Sequence, residues 1–320
     1  MNTTTGSFPH PALPVRRYIW RLRAEDSLRL PDYAGSMLRG AFGHALRQIA
    51  CVTRQKVCTD CPLQSACSYS YLFETPVPAS MAVLRRYPSA PHPIVIEAPL
   101  GPRDLTPGES FGFSMVLIGR AQFSVPMVVL AWQRACASGI GSRRIPTVLE
   151  AYREEGERDW RAPEDPALWK NDTFAIPPIP EGDLILRFLT PYRGKQGGKL
   201  TSAAQIRFRD FFSHLQRRVG LLCAFHGIER EWGWDYVAAL EIAARVCWEP
   251  LDARWMDWIR YSSRQAQEMR LGGVLGSYRI SNADLEPLWP LLYLGQWTHA
   301  GKNTSFGLGQ YVIIPAAQAH

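Results

Sequence analysis

Near the end of the chain an apolar run from Leu285 to Trp297 leads into a loop with three glycines and one lysine, and a short run from Tyr311 to Ile314 follows. That order constrains the fold more than any other stretch, because it demands a helix, a tight backbone turn and a strand in succession. The loop reads Gly301-Lys302-Asn303-Thr304-Ser305-Phe306-Gly307-Leu308-Gly309. Glycines so placed let backbone N–H groups approach a partner closely, as in loops that hold phosphates. The spacing does not fit a nucleotide-binding P-loop, where Gly-Lys-Ser/Thr opens a helix after a strand.

The rest of the chain supplies a matching order of elements. Arg16 to Arg23 alternates large and basic side chains, which predicts a half-buried strand whose arginine face suits RNA. From Tyr33 to Ala50 the apolar residues Leu38, Ala41, Phe42, Ala45, Leu46 and Ile49 recur at threes and fours, predicting an amphipathic helix. Its opposite side carries Tyr33, Gly40, His44 and Arg47. Strands are expected at Ile94 to Ala98 and Ser110 to Gly119, a helix from Ala121 to Ala137, and a strand from Ile145 to Tyr152. Strand, helix, paired strands, helix and strand is the ferredoxin-like sequence of elements, here over residues 15–153. Residues 154–182 are rich in acids and prolines and read as a connector. Residues 183–315 then open with a strand, Leu184 to Pro191, and a helix from Ile206 to Phe225 with Phe208, Phe211, Phe212, Leu215, Val219 and Leu222 on one face. His226 continues that face and reads as a satisfied core histidine.

Charge narrows the function classes. The 320 residues are 46% hydrophobic with a formal net charge of +7, and only five of the 36 basic residues are lysines. Arginine offers a planar fork for phosphates and a face for bases. The densest basic cluster runs from Arg193 to Arg218, with Lys195, Lys199, Arg207, Arg209 and Arg217 between them and Asp210 the lone acid. His214 lies within it and competes with His44 as a proton-transfer candidate. Trp248, Trp255, Trp258 and Tyr261 form an irregular aromatic series, better explained by packing than by base stacking. No apolar run approaches membrane-spanning length and the first residues lack a secretory pattern, so a cytoplasmic, non-membrane protein is expected.

Four of the seven cysteines, Cys51, Cys58, Cys61 and Cys67, fall within one turn-like segment, separated by six, two and five residues. Thiolates at that density can converge on one tetrahedral ion, so a structural zinc site is expected, with an iron–sulfur cluster as the rival. Such a site would be a knuckle inserted after the first helix at 51–67. With four ligands it leaves no open position for chemistry.

The terminal loop, with Gly301, Lys302, Gly307 and Gly309, resembles the glycine-rich signature of the RAMP superfamily of CRISPR RNA-binding proteins. It is closest to the repeat-processing endoribonuclease branch, the Cas6 family. Leu38-Arg-Gly-Ala-Phe-Gly-His-Ala-Leu46 independently looks like the first helix of that family. The resemblance implies an α+β chain of tandem ferredoxin-like domains that cleaves CRISPR precursor RNA without a catalytic metal and leaves a 5′ repeat tag. It also implies catalysis from the first helix and its surroundings, by His44 with Tyr33 and Arg47. RNA contacts are expected from Arg193, Lys195, Lys199, His299, Gly301, Lys302, Gly307 and Gly309. The implied partners are repeat and guide RNA and the subunits of an effector complex, with the chain a monomer or weak dimer. Two readings compete: a non-catalytic guide-RNA-binding subunit, and a zinc-ribbon adaptor for protein partners.

Overall fold

The computed structural model describes residues 8–77, 90–165, 174–196, 199–228, 232–257, 259–262 and 267–318, without the side chains of 196, 199, 259–262 and 267–270. The chain divides into two compact units. The first comprises Leu13–Phe174 and Ala224–Ile228; the second comprises Met1–Ala12, Ala175–Cys223 and Glu229–His320. The change of unit at 174/175 falls inside the connector expected at 154–182.

The first unit contains β1 (Val15–Ala24), β2 (Leu28–Leu30), α1 (Gly35–Ala50), β3 (Ile94–Glu97), β4 (Arg103–Leu105), β5 (Ser110–Ile118), α2 (Val125–Ser138) and β6 (Thr147–Glu154). Its main sheet has the order β3-β5-β1-β6, antiparallel throughout, and β2 pairs with β4 as a separate ribbon. The order read from the sequence is therefore present as β1, α1, β3, β5, α2 and β6. Pro126 sits in the first turn of α2, where a missing N–H costs no hydrogen bond. The core lies where the inward residues of β1 meet the helices. Trp20 is paired with Phe113 and Tyr152 across the sheet, stacks on Tyr152 at 5.0 Å, and lies under Trp132 of α2.

The outward arginines of β1 do not form the RNA-facing surface expected. Arg16 pairs with Glu154, Arg17 with Glu97 (2.8 Å) and Glu155 (2.6 Å), Arg21 with Glu150 (3.3 Å), and Arg23 with Glu25 (2.7 Å) and Glu150 (3.1 Å). Strand pairing sets these arginines beside acids from β3, β6 and the neighbouring turns, neutralising the face. The expected connector is likewise folded at its start: Arg161 bridges back to Tyr152, and Trp160 lies under the guanidinium groups of Arg21 and Arg153.

The second unit contains β7 (Leu184–Tyr192), β8 (Lys195–Gln196), β9 (Lys199–Leu200), α3 (Phe208–His226), α4 (Tyr236–Ala243), β10 (Trp248–Pro250), β11 (Arg254–Met256), β12 (Ile259–Ser262), β13 (Gln267–Arg270), β14 (Gly273–Ile280), α5 (Trp289–Thr298) and β15 (Tyr311–Pro315). The last three residues of α3 belong to the first unit. The sheet runs β10-β14-β7-β15, with β11 also on β14, and β8–β9 and β12–β13 are hairpins. Strand, helix, two strands, helix and strand recur here as β7, α3, β10, β14, α5 and β15. Phe188 of β7 stacks on Tyr192 at 5.0 Å and meets Phe211, Tyr278 and Tyr311 edge-on. Trp248 lies flat on Tyr278 at 4.2 Å and on Phe211 at 5.6 Å, so it packs rather than offers a stacking face. Trp258 and the side chain of Tyr261 lie outside the described residues. Among the described residues no helix is long and apolar enough to cross a membrane.

Candidate nucleic-acid interface and active site

In the second unit the glycine-rich loop is closed upon its own chain. Its backbone donors are largely consumed: Ala300 donates to Gly309 (3.1 Å), Lys302 to Arg193 (3.2 Å), Gly307 to Thr304 (2.8 Å) and Gly309 to Pro191 (3.1 Å). Thr190 completes the seam, its hydroxyl donating to the Gly307 carbonyl at 2.7 Å and accepting from Gln310 N at 2.9 Å. Gly309 has φ 69°, and a Cβ there would run into the Ala300 carbonyl. The glycines are thus required by the turn, which corrects the expectation that Gly307 and Gly309 hold their N–H groups open for a phosphate. His299 is also corrected. It caps α5 with φ 59°, is 0% exposed, and donates from Nδ1 to the Leu308 carbonyl at 3.3 Å, so it scaffolds the loop.

What the loop presents is Lys302. It is exposed, and Lys195 and Arg193 lie near enough, with desolvation the larger cause, to lower its pKa. Lys195 is exposed beside it, whereas Arg193 is half-buried and donates to the Gly272 carbonyl at 2.7 Å. The Lys199 side chain lies outside the described residues. Arg217, expected from the sequence as one of the basic cluster but not as an RNA contact, joins it; burial is the main cause that lowers the pKa of His214, and Arg217 and Lys302 add to it. The dense basic run was its only signal.

His214 is fully engaged. Its Nε2 faces the Lys195 carbonyl at 3.1 Å and so carries the proton, leaving Nδ1 to accept from the Tyr192 hydroxyl at 2.6 Å. Burial within this cluster favours the neutral ring, which ties the β8 segment to β7 and α3. With its folded pKa lowered, His214 adds stability above its unfolded value of about 6.5 that is lost as pH falls below it. His214→Gln should therefore reduce the drop in Tm between about pH 7.5 and about pH 5.5, measured by thermal melts at both values.

In the first unit, α1 begins at Gly35, so Tyr33 precedes the helix and instead bridges Leu100. The shared face expected for Tyr33, His44 and Arg47 is not formed. Arg47 turns into the cysteine segment, donating to the carbonyls of Gln55 and Lys56 (2.9 Å), and lies 5.5 Å from the Tyr69 ring. His44 remains on the open side of α1, exposed. The other imidazoles are placed differently. His226 is buried between the Pro91 carbonyl (2.8 Å) and the Tyr71 hydroxyl (3.3 Å), His92 bonds Thr75 at 2.9 Å, and His214 and His299 are committed as above. Among the described residues only His10 and His44 are exposed histidines.

The four knuckle cysteines are free thiols that line one cavity of about 260 Å³ together with Met127. Cys51 N–H caps α1 on Arg47 O at 3.0 Å, Cys61 closes a turn on Cys58 O at 3.2 Å, and Thr53 Oγ1 lies 3.4 Å from Cys61 Sγ. Burial, then Glu74, pushes the Cys58 thiol pKa up, with Cys67 and Cys51 near enough to add to the rise. Donor chemistry and common cavity fit a thiophilic ion; among the described residues, however, no three such side chains stand in an ion-holding arrangement.

Two family models divide the chain between them. One for an N-terminal domain, AF_1859_N, matches residues 13–178, and one described as CRISPR-associated endoribonuclease Cas6 matches residues 186–311, ending on the first residue of β15. The C-terminal half of the chain is thus similar to the Cas6 endoribonucleases. Its fold agrees. A Cas6 product complex is similar with a TM-score of 0.57 and 15% identity over 97% of this chain and 100% of that one. Thermus thermophilus Cas6 gives 0.52 and 13% over 94% and 99%. A partial Cas6-RT-Cas1–Cas2 complex gives 0.59 and 13% over 98% of this chain but 48% of that one. Identities this low establish the shared fold and nothing finer. No curated protein matches the chain in sequence.

Proposed function

We propose that this chain binds the repeat of a CRISPR precursor transcript and cleaves it into guide RNAs carrying a 5′ repeat tag, without a catalytic metal. The observation that carries the proposal is the Cas6 endoribonuclease match over residues 186–311, which takes in the basic strand end, α3 and the closed loop. Both halves are read as ferredoxin-like RAMP domains, from their repeated order of elements. The chain acts in the cytoplasm and hands the guide RNA to effector-complex subunits, as a monomer or weak dimer.

In the reaction the 2′-hydroxyl oxygen attacks the adjacent phosphorus as the P–O5′ bond breaks. A base takes the 2′-hydroxyl proton and an acid supplies one to the departing O5′, giving a 2′,3′-cyclic phosphate and a 5′-hydroxyl. His44 carries one of these proton transfers. Its open position on α1 and histidine's suitability for acid–base work near neutral pH support the role. Tyr33, which precedes α1, serves in this reading as a positioning residue, while Arg47 holds the cysteine segment to the helix. Cys51, Cys58, Cys61 and Cys67 would hold a structural zinc ion, which stiffens that segment and supplies no chemistry to the cut.

Lys195 and Lys302 contact phosphates, which raises affinity without reading sequence. Lys302→Ala should weaken repeat-RNA binding and reduce the slope of log K against log salt by about 0.7–0.9, measured by fluorescence anisotropy across a salt series.

The overall test is incubation of the protein with labelled repeat RNA in chelator without added magnesium. A single cut ending in a 2′,3′-cyclic phosphate is expected. A requirement for added magnesium would overturn the mechanism, and tight binding without any cut would favour a guide-RNA-binding subunit.

A further inference from the structure

The surface of α1 resolves into three stripes. Leu38, Phe42, Ala45 and Leu46 face the core. Arg39, Gly43 and Arg47 face the aromatic run Tyr69 to Phe73: the Arg39 guanidinium lies 3.9 Å over the Phe73 ring, Arg47 lies 5.5 Å from Tyr69, and a Cβ on Gly43 would run into Phe73. Packing therefore explains Gly43. The third stripe carries Ser36, Gly40, His44 and Gln48 at four-residue intervals, and its last three members are exposed.

Packing does not explain Gly40. A Cβ built there meets nothing within 4 Å among the described residues. Its φ is not among the positive values, so the backbone does not require glycine either. Glycine inside a helix is less favourable than alanine at the same place. Among the described residues it therefore has a cost for the fold and no packing benefit, which leaves the other use of a missing side chain, close approach of a second molecule to the backbone. Charge points to the class of that molecule. No Asp or Glu occurs anywhere in α1, while Arg39, Arg47 and Arg134, the last bonded to Gln48 at 3.2 Å, flank the stripe. An apolar protein partner would find no large apolar side chain on it.

We propose that Gly40 keeps this stripe bare so that the ribose–phosphate backbone of the RNA lies against α1 one turn from His44, which makes Gly40 a positioning residue for the cut. The inference rests on the proposed function and adds to it the surface along which the substrate lies.

The experiment compares wild type, Gly40→Ala and Gly40→Leu by thermal melting, repeat-RNA affinity and single-turnover cleavage. Gly40→Ala should raise Tm by about 1–4 °C and yet slow cleavage about tenfold, and Gly40→Leu should slow it by about a hundredfold and weaken binding. A rise in stability with a fall in activity is a pairing that a structural role for Gly40 cannot produce. A lower Tm in Gly40→Ala would overturn the inference, since the site would then be filled by the protein's own chain. So would cleavage and affinity within about twofold of wild type in both variants. If wild type itself does not cleave, the proposed function falls separately and the binding arm decides: affinity unchanged in Gly40→Leu overturns the inference, and affinity about tenfold weaker supports it.

Discussion

Replacing His44 by alanine is expected to slow repeat-RNA cleavage by about 10²–10⁴-fold, the usual worth of a positioned proton donor or acceptor, while RNA affinity stays within about threefold. The expectation follows from where the side chain stands. His44 is exposed and is not among the buried residues of α1, so its removal leaves the helix stripe of Leu38, Phe42, Ala45 and Leu46 untouched. Tm should therefore move by no more than about 1 °C, and loss of cleavage would be chemical rather than structural. His214 provides the contrast: both its ring nitrogens are occupied, by Tyr192 and by the Lys195 carbonyl, so His214→Gln should retain most of the cleavage rate. Single-turnover rates for the two variants, with affinity and Tm measured on the same preparations, separate the roles. Full cleavage by the His44 variant would remove it from the mechanism. Loss of cleavage on replacing His214 alone would mean that its bond to Tyr192 opens when RNA binds.

Much of the fold was legible because each half carries its periodicities plainly. The phenylalanines of α3 and the terminal run into α5 locate elements to within a few residues, since core-facing side chains must recur with the period of the element. Side-chain partners were not legible in the same way. The arginines of β1 look like a basic face until the strands pair and bring Glu97, Glu150, Glu154 and Glu155 beside them; these partners lie between 80 and 138 positions away along the chain. Likewise the glycines of the terminal loop stand out in the sequence, but what they touch does not. Their freedom is spent on closing the loop against Pro191 and Ala300, and burial of His299 follows from that closure. Tyr33 shares a helical face with His44 only if the helix is counted from Tyr33, and it starts two residues later.

The cysteine segment carries the other large expectation. Val52 and Val57 are 80% and 62% exposed, and the segment is held to α1 by Arg47 and a few backbone turns. So open a stretch buries too little apolar surface to order itself, whereas four thiolates on one ion would close it from both ends. Purified protein should therefore contain about one zinc per chain, and Cys58→Ser with Cys61→Ser should lose it and lower Tm by roughly 5–10 °C. The effect stays well below the collapse seen in isolated zinc fingers, because the first unit has its own core around Trp20 and Trp132. Elemental analysis and melts of both forms check this, and a visible absorption band in place of zinc would select the iron–sulfur cluster. A metal-free wild type that melts like the double variant would sink the site altogether. Stripping the ion should slow cleavage only so far as α1 loosens at its cysteine end, because four sulfur ligands leave the metal no position for substrate.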